Sequence, residues 1–521
     1  MEEQPDPKRP TRKPLDRDPA PPPRDSIAPV QGRVLDPATA LVVDGVVPRP
    51  TVYVGPRLTI SKSVDLAGAL EVLGLVAERL GWKVTLEPED RRTARLRFGL
   101  RTVTIGVASD RAAIAPDAWT LLQQTRAQFG VEAVRGVGLD HVLFPGDIEP
   151  NPFHIPSPFH IPSPFHIPSG AGGAPSAPIA TYAAPGSGGR QPVAYVGPEP
   201  VRHDAVEGRR PVVAILDTGC GRHPWLDRAV TTGVTLDGEP IGYTNPLTDA
   251  EVRGGDLQGQ LDGVIDPLAG HGTFIAGLVH QGCPDADLLV WRIVPSEGPI
   301  VESDLVAALA QVAELARRHR AGEEGGRAID VLSLSIGYYH ETPEDALFDP
   351  TMSSILEDLT AGGTVVVCSA GNDATSRPSF PAAFGPWSDG TGPIPPDPAR
   401  LPIVSVGAQN PNGSTDALFS NAGPWVRVFA PGAALVSTMP KFQGGLQPVA
   451  RTRAFDRVRE SIDPDDFRSG FGVWSGTSFA APVVAGRIAA GLLGRIDGEE
   501  PAQAVARCWQ VVEKVTGIRP D

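Results

Sequence analysis

Between residues 211 and 408, five short and almost wholly apolar segments alternate with stretches of helical periodicity. They read PVVAILD, DLLVWRIV, VLSLSIG, TVVVCSAGN and PIVSVGA. Continuous apolar runs of this kind are typical of parallel strands that are covered on both faces. Between two of them, residues 303–319 place Leu305 and Leu309 on one helical side. The pattern predicts an α/β fold, a three-layer sandwich with a mainly parallel sheet, whose ligands bind at the carboxyl ends of the strands.

Three polar residues lie at the ends of these elements. Asp217 closes PVVAILD, His271 opens HGTFIAGLV, and Ser478 opens SFAAPVVAG. Taken singly, they read as a turn aspartate, a surface histidine and a helix-capping serine. Together they supply a carboxylate, a base and a nucleophile, which is the set that acyl transfer by an activated serine requires. We therefore interpret all three as catalytic and expect Ser478 also to cap its helix.

The segment SAGN, residues 369–372, follows another predicted strand and ends in Asn372. Its side-chain amide can donate a hydrogen bond to an oxyanion, and one such donor stabilises a transition state by about 3–4 kcal/mol. A turn asparagine is the alternative interpretation.

The motifs AILDTG, GHGTFIAG, SAGN and SGTSFAAPVVAG occur in this order, and together they resemble the subtilisin family of serine peptidases. The order Asp, His, Ser is that of subtilisin. The resemblance covers residues 205–521. It implies a subtilisin-like peptidase domain in which Asp217, His271 and Ser478 form the triad. It also implies an oxyanion hole made by Asn372 and the backbone N–H of Ser478, and substrate binding along two backbone segments. The residues of those segments are Ser333, Leu334, Ser335, Ile336, Gly337, Ser369, Ala370 and Gly371.

Two features depart from the family pattern. Where family members often have an aspartate that helps to bind structural calcium, the segment RHPWL places Trp225. We therefore expect no calcium in this loop and no other metal or cofactor. The second departure is an added, charged stretch, residues 441–468, which is partly helical in period. It is either a lid over the site or a surface insertion.

Residues 36–145 have the order β-α-β-β-α-β. TVYVG reads as a strand, leucines follow at helical spacing from Leu66, and three further strand-like runs end in GVGLDHVLF. Asp117 is placed to cap the second helix. The order predicts a small ferredoxin-like α+β domain. The family resemblance implies an inhibitory propeptide, and a separate adaptor domain is the alternative.

Two segments have compositions that do not favour a packed core. Residues 1–35 are rich in proline and charge, which predicts a disordered tail. Residues 146–204 are rich in Pro, Gly and Ser and contain three tandem copies of PFHIPS, which predicts an extended linker. His154, His160 and His166 of these repeats have no carboxylate or thiolate beside them, so we interpret the repeats as a spacer.

The formal net charge of −15 argues against nucleic acid or an anionic membrane as a partner, since both are bound by clustered basic residues. The chain shows no signal peptide and no apolar run long enough to span a membrane, so a soluble, cytoplasmic protein is predicted. Four widely spaced cysteines are expected to be buried thiols, with a Cys220–Cys283 disulfide as the alternative.

We predict a serine endopeptidase that cleaves peptide or protein substrates through an acyl-enzyme and processes its own chain, near residues 179–184. Its N-terminal domain would then be an intramolecular inhibitor. The alternatives are a peptidase with a permanent partner-recruiting domain and a catalytically silent, peptide-binding pseudopeptidase.

Overall fold

The computed structural model describes residues 16–43, 47–109, 113–145, 179, 181–253, 255–257, 261, 263–296, 298–342, 350–386, 397–442, 448–496 and 500–520. The three PFHIPS repeats and their histidines lie outside these residues.

The N-terminal domain has the predicted β-α-β-β-α-β order. Its elements are β1 (Gly32–Val34), β2 (Val52–Ser61), β3 (Trp82–Leu86), β4 (Leu100–Val107), β5 (Val137–Pro145), α1 (Arg24–Ile27), α2 (Leu66–Arg79) and α3 (Ala118–Phe129). The main strands lie in the order β5-β2-β4-β3 and pair antiparallel. Asp65 and Asp117 cap the two long helices by accepting backbone N–H groups, as Asp side chains do at N-caps. These helices and the sheet share one apolar core.

The N-terminal tail is more ordered than its composition predicts. Disorder up to residue 35 is wrong for the described part, because β1 pairs with β2 and the side chains of Ile27 and Leu35 are buried. Burial of these two apolar side chains and pairing with the edge of β2 thus stabilise a folded conformation in this segment despite its many prolines. The tail from residue 16 onward is part of the folded molecule.

The C-terminal domain is built on a seven-stranded sheet among the described residues, in the order β17-β16-β15-β13-β7-β11-β8. Every neighbouring pair is parallel. The strands after β5 are β6 (Gln191–Pro192), β7 (Val212–Asp217), β8 (Val230–Thr232), β9 (Thr235–Leu236), β10 (Glu239–Pro240), β11 (Asp287–Arg292), β12 (Ile300–Val301), β13 (Val331–Leu334), β14 (Ile336–Gly337), β15 (Val365–Ser369), β16 (Ile403–Gln409), β17 (Val428–Pro431), β18 (Leu435–Thr438), β19 (Arg451–Ala454), β20 (Arg457–Glu460) and β21 (Phe471–Trp474). The predicted mainly parallel sheet is confirmed.

Helices cover both faces of this sheet. They are α4 (Ala250–Arg253), α5 (His271–Gly282), α6 (Glu302–Arg320), α7 (Thr351–Ala361), α8 (Thr477–Leu492) and α9 (Pro501–Thr516). Alternate residues of β7 point to opposite faces, so Val213 lies in the core with α5 and α8 whereas Ala214 lies in the core with α6 and α7. The result is the three-layer sandwich expected from the apolar runs.

Helices α5 and α8 lie side by side on one face. A Cβ added to Gly282 would come within 3.0 Å of the Gly486 Cα, so the two backbones touch where neither residue has a side chain. Close packing of this kind fixes the relative position of the two helices. It brings their N-termini, with His271 and Ser478, to the same edge of the sheet.

The insertion at residues 441–468 contains a β-hairpin, so the expected helical character is wrong. Strands β19 and β20 pair antiparallel around Phe455 and Asp456, which both have positive φ. Two positive φ values are the mark of a tight hairpin turn. The hairpin is exposed, and Phe455 is 98% accessible.

Residues 181–192 pack on the C-terminal domain, although their composition places them in the linker. Strand β6 pairs with β21, and Ala183 is buried in the core. The Arg190 guanidinium donates to several backbone carbonyls and lies 4.8 Å from the centre of the Trp474 ring. A cut near residues 179–184 would therefore fall in a packed segment.

The two domains meet along β5. Leu143 and Val142 pair with β12, and Phe144 and Pro145 pair with β14, in both cases antiparallel. The last strand of the N-terminal domain thus continues onto an edge of the C-terminal domain. Among the described residues, no helix is both long and apolar enough to span a membrane.

Candidate active site

Asp217 and His271 form a buried pair at the carboxyl end of β7. The His271 Nδ1 lies 2.7 Å from the Asp217 Oδ1, which also accepts the Thr218 backbone N–H at 2.8 Å. Both side chains are almost fully buried. Because the carboxylate accepts from Nδ1–H, it selects the tautomer in which Nε2 is the basic atom.

Ser478 is the second residue of α8, and its side chain is buried. The Ser478 Oγ lies 3.4 Å from the Ser335 carbonyl oxygen, and the Ser335 Oγ donates to the Ser478 carbonyl at 2.9 Å. The N-cap is Gly476, so the prediction that Ser478 caps its helix is wrong. The His271 ring lies 5.1 Å from the ring of Phe479, the next residue along. The first turns of two helices, one beginning at His271 and the other carrying Ser478, therefore lie side by side.

Asn372 is fixed beside the start of α8. Its Oδ1 accepts both the backbone N–H and the hydroxyl of Thr477, each at 2.9 Å. The same hydroxyl accepts the Gly371 N–H at 3.0 Å. With Oδ1 used in this way, Nδ2 is the donor end of an oriented amide. An amide N–H donor and the helix N-terminus of Ser478 thus lie at one place, as stabilisation of an oxyanion requires.

The first predicted substrate segment divides into two parts. Ser333 and Leu334 belong to β13 and are buried inside the parallel sheet. Ser335 contacts Ser478, and β14 follows on the side that β5 occupies. The structure therefore brings Ser335, Ile336 and Gly337 to the site, whereas Ser333 and Leu334 lie in the strand that supports it.

The second predicted segment follows β15. Ser369 ends that strand, the Ala370 N–H donates to the Val406 carbonyl at 2.9 Å, and Gly371 has a φ of 98°. Positive φ is accessible to glycine without strain. Gly371 thereby turns the chain so that Asn372 reaches Thr477.

Asn421 holds this turn, and the motif analysis missed it. Its Oδ1 accepts the Asp373 N–H at 3.0 Å and its Nδ2 donates to the Ala370 carbonyl at 2.8 Å. A Cβ on Gly371 would lie only 2.5 Å from the Asn421 Nδ2. The segment FSNAG carries no signal that separates this role from an ordinary turn asparagine.

A second missed residue is Glu251, whose buried carboxyl lies behind the pair. It accepts the Thr218 hydroxyl at 2.6 Å, the Gly270 N–H at 2.9 Å and the Thr273 hydroxyl at 2.5 Å. Burial raises the pKa of Glu251 to about 8, although the hydrogen bonds from the two threonine hydroxyls act to lower this pKa. This carboxyl ties the start of α5, which carries His271, to the residue after Asp217.

The loop that departs from the family pattern is filled by aromatic rings. Trp225 is buried and lies 4.9 Å from Phe471 and 5.2 Å from Tyr195, measured between ring centres. Burial also lowers the pKa of the neighbouring His223 to about 4. These rings offer no oxygen ligands of the kind that calcium prefers.

All four cysteines are free thiols in the structure, so the Cys220–Cys283 disulfide does not form there. Burial raises the pKa of Cys283 to about 11 and that of Cys220 further. Thiols with raised pKa values are poor nucleophiles.

The chain is similar to known proteins in sequence and in fold. The model of the subtilase family matches residues 208–509. The chain is 22% identical over 300 residues to the major intracellular serine protease of Bacillus subtilis, covering 54% of this chain and 69% of that protein. It is 27% identical over 288 residues to mycosin-4 of Mycobacterium tuberculosis, covering 53% and 54%. Among solved structures, fervidolysin of Fervidobacterium pennivorans, a keratinolytic enzyme related to subtilisin, aligns with a TM-score of 0.44 and 18% identity over 87% of this chain and 56% of that one. The match thus spans about two thirds of the first relative and about half of the other two.

Proposed function

Since the chain belongs to the subtilase family and is a subtilisin-like serine peptidase, we propose that it hydrolyses internal peptide bonds through an acyl-enzyme on Ser478. The observation that carries this proposal is the buried Asp217–His271 pair at the N-terminus of α5, beside Ser478 at the start of α8. Acyl transfer needs these three groups and an oxyanion site, and the position of Asn372 beside the start of α8 supports the latter.

Each residue has one role in the proposed mechanism. His271 Nε2 takes the proton from the Ser478 Oγ as it attacks the carbonyl carbon, and later gives that proton to the leaving amine. Asp217 holds the ring and stabilises the imidazolium that forms. The Asn372 Nδ2 and the Ser478 backbone N–H receive the negative charge on the carbonyl oxygen. Water then attacks the acyl-enzyme. His271 takes a proton from this water and returns a proton to the Ser478 Oγ, which releases the acyl group.

The N-terminal domain is proposed to inhibit the enzyme within the same chain. Phe144 and Pro145 pair with Gly337 and Ile336, so the end of β5 lies where an extended substrate would add as a strand. Ser335, the next residue toward Ser478, contacts the nucleophile directly. A substrate and the end of β5 would therefore compete for one edge.

A labelling experiment tests the proposal. The wild-type chain, incubated long enough to process itself, should react with a fluorophosphonate probe and cleave casein, because only an activated serine attacks phosphorus quickly. Ser478→Ala should do neither, and Ser414→Ala, which removes an exposed loop serine, should behave as wild type. Labelling that survives Ser478→Ala, or a wild-type protein that neither labels nor cleaves, would contradict the proposal.

We also propose that the peptidase domain needs no calcium, which the aromatic cluster around Trp225 supports. Adding calcium to metal-stripped Ser478→Ala protein should leave the melting temperature unchanged, because an ion that binds only the folded state would raise it. A clear rise would contradict this.

A further inference from the structure

A group of titratable side chains lies at the interface between the two domains, away from the triad. His141 comes from β5 of the N-terminal domain, whereas Glu302 begins α6 and His340 and Glu341 follow β14. All four side chains are at least nine-tenths buried. The proposed mechanism uses none of them, yet burying such groups costs free energy unless each is satisfied.

Three ligand atoms of this group converge on one point. The His141 Nε2 lies 2.9 Å and the His340 Nε2 lies 3.6 Å from the Glu341 Oε2, and all three atoms lie within 4.8 Å of one another. A tetrahedral metal with bonds of about 2.0–2.1 Å holds its ligand atoms roughly 3.4 Å apart. Small side-chain shifts would bring the three atoms to that spacing.

The other nitrogen of each imidazole also has a polar partner within hydrogen-bond distance. The His141 Nδ1 lies 2.6 Å from the Glu302 Oε2, and the His340 Nδ1 lies 2.9 Å from the Thr342 hydroxyl and 3.1 Å from both the backbone nitrogen and the carbonyl oxygen of Thr342. Histidines that bind metals donate this second N–H to a carboxylate or a carbonyl, which fixes the ring and makes Nε2 the ligand. The Tyr338 hydroxyl donates to Glu302 at 3.2 Å and holds that carboxylate in turn.

From these contacts we propose that His141, His340 and Glu341 bind one zinc ion that links the N-terminal domain to the peptidase domain. Two imidazole nitrogens and one carboxylate oxygen suit zinc, whereas calcium and magnesium prefer oxygen ligands throughout. A dication also offsets the two carboxylates buried there. On binding, zinc displaces the proton that His141 Nε2 shares with Glu341, and water completes the coordination.

The position of the site links it to the inhibitory contact. His340 and Glu341 lie a few residues after β14, and His141 lies a few residues before Phe144 and Pro145. Zinc would therefore hold the end of β5 against the substrate edge and slow release of the domain. This consequence rests on the proposed function, whereas zinc binding itself does not.

Zinc binding is measured best on the full chain in the Ser478→Ala form, which cannot process itself. The three linker histidines are replaced by alanine in this background, so that they bind no metal. After chelation and dialysis, zinc is titrated in competition with a chromogenic chelator. We expect one zinc per chain, and cobalt(II) should give the intense visible bands of a tetrahedral site.

Variants decide where the zinc binds. His340→Ala should weaken binding by at least about 100-fold, and Glu302→Gln, which keeps the volume but changes the acceptor of His141, by about 10–100-fold. The control His203→Ala removes a largely exposed histidine elsewhere and should change nothing. If His340→Ala fails to fold, the zinc affinity of Glu302→Gln and the cobalt spectrum of the parent still test where the metal binds.

Two results would overturn the proposal. One is no zinc binding once the linker histidines are removed, and the other is unchanged affinity in both His340→Ala and Glu302→Gln. Because every protein in the titration lacks Ser478, an inactive enzyme would leave the zinc result unaffected. Failure of the proposed function and failure of the zinc site are therefore distinguishable.

Discussion

At the scale of single residues, the proposed triad is positioned by backbone groups and by buried polar side chains behind it. The Thr218 hydroxyl accepts the Gly272 N–H at 2.8 Å and donates to Glu251, so it joins β7 to α5. Thr477 joins Asn372 to α8 in the same way. Small hydroxyl side chains thus couple elements that are far apart in sequence.

Replacing Asn372 tests the oxyanion site. Asn372→Ala should lower kcat by about 100- to 1,000-fold with little change in KM, because the donor acts on charge that develops only in the transition state. Steady-state kinetics on a peptide substrate measure this. Asn372→Asp keeps the oxygen that accepts from Thr477 but lacks the N–H donor, so it should lose as much. An Asp variant that keeps wild-type kcat would show that Asn372 only supports α8.

Replacing Glu251 should change how the stability of the fold depends on pH. Its pKa is about 8 in the folded protein and near 4.5 when unfolded, so the folded state disfavours the charged carboxyl. The contribution of Glu251 to stability is full below about pH 4.5 and is lost as the pH rises to about 8. Glu251→Gln, which imitates the neutral acid, should therefore gain stability relative to the parent across this range.

Melting temperatures between about pH 5 and 8.5 in the Ser478→Ala background measure this difference. Glu460→Gln, on the exposed strand β20, is the matched control and should track the parent at every pH. A gap between Glu251→Gln and the parent that stays constant with pH would contradict the raised pKa.

Residue-level prediction from sequence is possible where a motif is local. Asp217, His271, Asn372 and Ser478 each lie in a short segment whose chemistry is visible by itself. Asn421 and Glu251 act through contacts with residues that lie tens of positions away, and the interdomain group brings His141 together with residues about 200 positions later. No spacing rule connects such positions, so only the fold reveals them.

At the scale of elements, the buried strands were predicted correctly because burial on both faces leaves a continuous apolar run. The hairpin β19–β20 was missed because neither face is buried and its turn is Phe455-Asp456 rather than the usual Asn-Gly. The folded structure of the N-terminal tail was not predicted, because only two apolar residues of its described part, Ile27 and Leu35, are buried against other elements. Two such residues produce no periodic pattern in the sequence. Elements that form through contact with another element are therefore the ones that sequence patterns predict poorly.

Strand β5 is the element that joins the domains, and Leu143 tests what it does. Leu143 is fully buried among residues of the peptidase core. Leu143→Asp would bury a charge there, which costs several kcal/mol unless the domain undocks, roughly a 100-fold shift in docking or more. Initial peptidase rates of freshly purified intact chain should therefore rise well above those of the parent.

The control for this prediction is Val107→Asp, a change at a partly exposed position on β4 of the same domain. It should leave the rate unchanged. Equal rates for Leu143→Asp and the control would mean that docking of the N-terminal domain does not restrain the enzyme.

At the scale of the whole molecule, two packed regions flank residues 146–178, which lie outside the part of the chain that the structure describes. Strand β5 ends at Pro145 on the substrate edge, and residues 181–192 are anchored on the peptidase domain. The cut that sequence alone favours, near residues 179–184, would fall beside the buried Ala183. The register on β14 points elsewhere. Pro145 lies opposite Ile336, and the neighbouring Ser335 has its carbonyl oxygen 3.4 Å from the Ser478 Oγ.

We therefore expect the wild-type chain to cut itself within residues 146–149, after β5 and at a bond that involves neither Pro145 nor Pro150. Proline near a scissile bond is disfavoured because it fixes φ and lacks an N–H. Intact-mass spectrometry over a time course should show one new C-terminal fragment, whereas Ser478→Ala should remain full length. Adding a trace of processed wild-type enzyme to Ser478→Ala separates a cut within the chain from one between chains. An active wild-type enzyme that stays intact would make the N-terminal domain a permanent partner-recruiting module, and a first cut at residues 179–184 would show that the end of β5 does not lie in the cleft as a substrate does.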